Sequence, residues 1–108
     1  MSRIIFYVST VACFFLLLSS SAFGAQGAVV YKKSGCDYFL VETSSGYDLL
    51  EWYGGHDPSK SDRIVGDFES YGFADIYDVS VDEELHVYVE DYWLSKSDAM
   101  EKYYEHCR

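Results

Sequence analysis

Cysteine occurs at positions 13, 36 and 107, and the last two constrain the fold more than any other feature of the chain. Cys36 stands near the start of the part that can fold, and Cys107 is the penultimate residue. If they pair, both ends of one domain must meet. Closing a loop of about 70 residues stabilises a fold by roughly 4 kcal/mol in the chain-entropy picture. A metal pair and a redox dithiol are the weaker alternatives, because the spacing is far from C-x-x-C. Pairing needs an oxidising compartment, and the amino terminus gives the reason to expect one.

Residues 1–24 read as a secretory signal peptide. Arg3 supplies a positive n-region, residues 4–18 are apolar but for Ser9 and Thr10, and residues 19–24 are mostly small. Ala22 and Gly24 suit the positions before a cleavage site at Ala25. An apolar run of about 15 residues falls short of the 20 or so that span a bilayer, so no stable membrane insertion is expected after cleavage. Cys13 lies inside that run and leaves with it. One domain over 25–108 is expected, periplasmic or secreted. A chain so short buries only about 60% of its unfolded surface, and a Cys36–Cys107 bridge is the staple such a core needs.

The chain is too short for a doubly wound nucleotide-binding fold, which takes several βαβ units. Its β-rich runs lie at 28–32, 37–43, 47–53, 63–68, 74–81 and 85–93, the first being a strand or an extended lead-in. Ser44-Ser45-Gly46 makes the second and third a hairpin. Residues 54–62, with the only proline, form a loop. Gly66 inside a strand run marks a bend of the kind found at barrel corners. Then the period changes. Ser95-Lys96-Ser97-Asp98 has the form of a capping box, and Met100, Tyr103, Tyr104 and Cys107 follow at helical spacing. The expected fold is mostly β: a small antiparallel barrel of SH3 or OB kind, or a strongly bent sheet, with one C-terminal helix. An open α+β sheet with the helix on one face is the alternative.

Alternation separates core from surface. It places Phe39, Val41, Leu50, Trp52, Ile64, Phe68, Ile76, Leu85, Val87, Val89 and Trp93 inside, closed by Met100 and Tyr103. Tyr38, Leu40 and Glu42 face outward by the same parity, as do His86, Tyr88, Glu90 and Tyr92.

No catalytic constellation has a specific spacing. His56 falls in a loop, His86 on an outer strand face and His106 at the helix end; none has a partner at i+2 or i+4 for a zinc pair. All three read as solvated surface histidines. Asp75, Asp78, Asp82, Glu83 and Glu84 are dense but lack the D-x-D-x-D-G calcium pattern, and read as a solvated charged turn. No enzyme activity, metal or cofactor is expected. A net charge of −10 repels nucleic acid, and the absence of Asn excludes N-linked glycosylation.

The remaining signal is aromatic. Eleven residues are Tyr, and aromatic rings in an acidic setting suit a protein interface or a sugar-stacking surface. The candidate binding residues are Tyr38, Trp52, Tyr53, Tyr88, Glu90 and Tyr92. The expected function is a non-enzymatic exported domain that binds a partner, a basic protein, through this acidic, Tyr-rich surface. A cell-wall or carbohydrate-binding module using Trp52, Tyr53 and Tyr88 is the alternative.

The stretch D-Y-F-L-V-E-T-S-S-G-Y-D-L-L-E-W-Y-G-G, followed by I-V-G-D-F-E-S-Y-G-F, resembles small exported bacterial proteins of unassigned function. The resemblance implies export and a compact β-rich domain, and brings no catalytic residues.

Overall fold

Alternating side chains and glycine-containing turns produce six strands and one helix, seen in a computed structural model that describes residues 24–108. The proposed signal peptide lies outside the described residues but for its last residue, Gly24. In chain order the elements are β1 Ala25–Lys32, β2 Tyr38–Thr43, β3 Gly46–Gly55, β4 Arg63–Gly66, β5 Gly72–Asp78, β6 Glu83–Leu94 and α1 Lys96–His106. The strands close into a barrel in the order β1-β2-β3-β6-β5-β4. Two antiparallel meanders, β1-β2-β3 and β4-β5-β6, join where β3 pairs β6 and β4 returns to β1. The expected small barrel therefore forms, and the β1–β4 pairing rules out the open sheet. Closure gives every strand a partner on both sides over at least part of its length. Six strands exceed the five of an OB-fold. Among the described residues no helix is long and apolar enough to cross a membrane.

Two glycines make the closure feasible. A Cβ on Gly66 (φ +147°) would lie 2.8 Å from Ile76 Cγ2, and one on Gly46 (φ +136°) would lie 2.8 Å from the Leu94 carbonyl oxygen. Both backbones pass a neighbour at a distance no side chain permits.

The barrel interior is filled by Val29, Phe39, Val41, Leu50, Ile64, Phe68, Ile76, Leu85, Val87 and Val89, all fully buried or nearly so. Each such side chain contributes roughly 1.5–3 kcal/mol by leaving water. Phe68 is buried although β4 ends two residues before it. Outside the barrel, α1 forms a second cluster. Leu40 and Leu49 face outward from β2 and β3 as alternation requires, yet both are fully buried beneath Ala99, Tyr103 and Cys107. Met100 packs there half-buried rather than closing the barrel. Ser95 caps the helix, its hydroxyl accepting the Asp98 N–H at 3.2 Å. The Cys36–Cys107 disulfide, with a Cα–Cα distance of 5.7 Å, fastens the far end of α1 to the loop before β2.

Strand parity fails in one place. The β3–β6 register runs from Leu50↔Val89 to Leu49↔Asp91 and then to Tyr47↔Leu94, so β6 carries extra residues. A bulge of this kind reverses which side chains face inward beyond it. Trp93, expected in the core, is 59% exposed with φ +58°, while Tyr92, expected outside, packs half-buried against the barrel core. The turn before β6 also falls earlier than the charge run implied. Its last residue is Asp82 (φ +58°), and Glu83 already belongs to the strand.

Candidate functional site

The outer face of β3, β6 and β5 brings three aromatic rings together. Tyr88 on β6 lies opposite Phe73 on β5 and Glu51 on β3. The Phe73 ring stands edge-on to Tyr88 at 4.9 Å between centroids and edge-on to Tyr53 at 5.0 Å; Tyr53 and Tyr88 are 6.5 Å apart. Phe73 is 72% exposed and Tyr53 55%. Cross-strand aromatic contacts of this kind stabilise a sheet by a few tenths to 1 kcal/mol each, so the patch is preformed.

Acidic groups rim these rings. Tyr38 stacks on His106 at 4.1 Å, at the edge of the face where α1 ends. Burial first, then its hydrogen bond to Glu51 and the charges of Glu51 and Glu90, push the Tyr38 phenol up to about 12. His86 pairs through Nδ1 with Asp75, whose hydrogen bond holds the imidazole above its ordinary value. None of the residues of β3, β5 or β6 is Lys or Arg.

Of the residues singled out in the sequence, Tyr38, Tyr53, Tyr88 and Glu90 lie on or beside this face. Trp52 does not; it packs half-buried against the barrel core, and its Nε1–H donates to the His56 carbonyl at 3.0 Å. Tyr92 is removed by the bulge and meets Tyr71 at 4.9 Å near the other end of β6. Phe73 lies outside the β-rich run expected at 74–81, because β5 starts at the turn glycine Gly72 and takes Phe73 into the strand. A cleft of about 560 Å3, lined by Gln26, Val65, Asp75, Ile76, Tyr77 and Glu84 among others, contains none of the three clustered rings.

Two buried carboxylates lie elsewhere. Asp48 points into the barrel from β3, where its Oδ1 accepts the Trp93 N–H at 3.0 Å and its Oδ2 has no donor. Trp93 is also held outside, its Nε1–H donating to Glu69 Oε2 at 2.8 Å. Asp78, at the end of β5, is fully buried beside His56, whose ring also meets Asp62 and, through its other nitrogen, Glu83. Burial first, and Asp62 beside it second, push Asp78 up to about 6. Burial works to raise Asp62 as well, but its contacts with Asp78, the Ser59 amide and His56 outweigh it and hold that carboxyl below its ordinary value. Two readings from the sequence are corrected here. The His56 side chain is only 21% exposed and meets three carboxylates, so it is not a solvated loop histidine. Asp78 is not part of a solvated turn, because β5 ends with its side chain turned inward.

No family model matches this chain, and neither a curated protein nor a solved structure does.

Proposed function

We propose that this is an exported, non-enzymatic domain that holds a basic protein partner on the outer face of β3, β6 and β5. The observation that carries this reading is the contact cluster of Tyr53, Phe73 and Tyr88 on three neighbouring strands that contain no basic residue but histidine. Clustered exposed rings within a polar rim have the composition of an interface centre. Because the rings already hold one another, little rotamer freedom is lost when a partner docks. Glu51, Asp75 and Glu90 select for positive charge and speed its approach. Near-perpendicular rings, at 83° and 78°, offer no coplanar aromatic platform for a sugar, which favours a protein over the carbohydrate alternative. Export is supported by the signal-like amino terminus and by a disulfide suited to an oxidising compartment.

The test is affinity capture from a native envelope extract at low and high salt. Wild type should retain a basic protein at low salt and release it as salt rises. A Tyr53→Ser/Phe73→Ser variant should lose it, while Tyr104→Ser, exposed on α1, should retain it. Retention of the same protein by the double variant would refute the assignment of the face.

A further inference from the structure

Asp78 Oδ1 accepts the Ser80 N–H at 3.0 Å, but Oδ2 is buried with no hydrogen-bond donor. It faces His56 Nε2 at 3.4 Å, and the same nitrogen lies 3.6 Å from Asp62 Oδ2. Nε2 is likewise buried without a partner. Across the ring, His56 Nδ1 lies 3.1 Å from Glu83 Oε2. A histidine that donates Nδ1–H to a carboxylate presents a bare lone pair at Nε2. The lone pairs of Nε2 and Asp78 Oδ2 then face each other, and leaving these two uncompensated away from water is costly. Asp62 Oδ2, which already accepts the Ser59 N–H at 3.0 Å, brings a third lone-pair atom to the same point. A positive ion among them removes the conflict.

The spacing fits a metal ion. A hydrogen bond from a ring nitrogen to oxygen spans about 2.7–3.2 Å, shorter than either gap. Two ligands of one tetrahedral zinc ion, each about 2.0–2.2 Å from it, stand roughly 3.4 Å apart. One ligand atom from each of His56, Asp62 and Asp78 lies within 4.8 Å of the others. The backbone holds these positions in place. The His56 N–H donates to the Glu84 carbonyl at 3.0 Å and the Asp62 carbonyl accepts from Val29 at 2.9 Å, while Trp52 clasps the His56 carbonyl.

We propose that His56 Nε2, Asp62 and Asp78 bind one divalent transition-metal ion of the zinc class, with Glu83 as the positioning residue that orients the imidazole. The two carboxylates match its charge. An imidazole ligand and only three protein donors suit zinc rather than calcium, which takes six to eight oxygens. Three protein ligands leave a fourth position for water. Asp75, Glu84 and His86 form a second acidic group, but all are exposed and each has water as an alternative partner; this group serves as the control.

The untagged, disulfide-bonded protein is stripped with a chelator, dialysed and titrated with Zn2+ by calorimetry and in thermal melts. One Zn2+ per chain should bind saturably and raise the melting temperature. His56→Gln and Asp78→Asn should each weaken binding at least about 100-fold, and Glu83→Gln about 10–100-fold, the range found for groups that orient a ligand. His86→Gln should change nothing. In chelator, Asp78→Asn should melt no lower than wild type, because it removes the buried conflict, and it should gain nothing from Zn2+. X-ray absorption of the zinc-loaded wild type should show a nitrogen–oxygen shell with one imidazole, a readout independent of any variant's folding. Absence of stoichiometric binding, loss of binding in His86→Gln with retention in His56→Gln, or a shell without imidazole would each overturn the proposal.

Discussion

Asp48→Asn is expected to make the protein less sensitive to pH and more stable at neutral pH. The Asp48 carboxylate is fully buried, with one oxygen bonded to the Trp93 amide and the other without a donor. Burial is the largest influence on it; the Trp93 hydrogen bond works the other way, and the charges of Glu69 and Asp91 add to burial. The result is a carboxyl pushed from an ordinary 3.8 up to about 7. With the folded value above the unfolded one, the native state keeps a proton that the unfolded chain has released between about pH 4 and pH 7. Stability therefore falls as pH rises through that window and levels off above it, the opposite sign to a salt-bridged carboxylate. At 1.36 kcal/mol per pH unit the loss is about 4 kcal/mol, a large share of what so small a domain holds in reserve. Asn keeps the acceptor for Trp93 and carries no charge. Its amide N–H groups replace the orphaned oxygen at a cost of about 1–3 kcal/mol that does not depend on pH. The readout is the difference between variant and wild type in urea midpoints from pH 4 to pH 8, in which the titration of Asp62 and Asp78 cancels. That difference should move in favour of the variant by about 4 kcal/mol across the range. A difference flat within about 1 kcal/mol would show that Asp48 ionises as it does in the unfolded chain, and that its second oxygen reaches water or a donor.

Replacing Cys36 and Cys107 with Ser should remove about 4 kcal/mol in urea unfolding; midpoints equal to wild type would show that α1 docks without its tether. Leu49→Ala opens a cavity beneath α1 and should cost about 2–5 kcal/mol, and a loss under about 1 kcal/mol would mean that the helix does not cover β3. Tyr88→Ser should cost under about 1 kcal/mol and Tyr92→Ser about 2 kcal/mol or more, since only Tyr92 packs against the barrel core. Equal losses would contradict the bulge in β6.

Much of this architecture could be read from local pattern. Strand alternation is set by backbone geometry within a few residues, so Phe39, Val41, Leu50, Ile64, Ile76, Leu85, Val87 and Val89 declared their inward direction without any partner strand. Ser95 announced the helix for the same reason, because a capping bond closes within three residues. The pairing of Cys36 with Cys107 was expected from an export-like amino terminus and from cysteine count, which need no coordinates, and the disulfide forms. Other features exist only between strands. The bulge that exposes Trp93 and turns Tyr92 inward is a mismatch in length between β3 and β6, and neither strand shows it alone. Leu40 looked like a surface residue because parity distinguishes two faces of a sheet and cannot say that a helix lies on the outer one. Barrel closure drew His56, Asp62, Asp78 and Glu83 from the loop after β3, the residue before β4, the end of β5 and the start of β6. Spacing along the chain carries no trace of such a cluster, since its members become neighbours only when the strands between them pair.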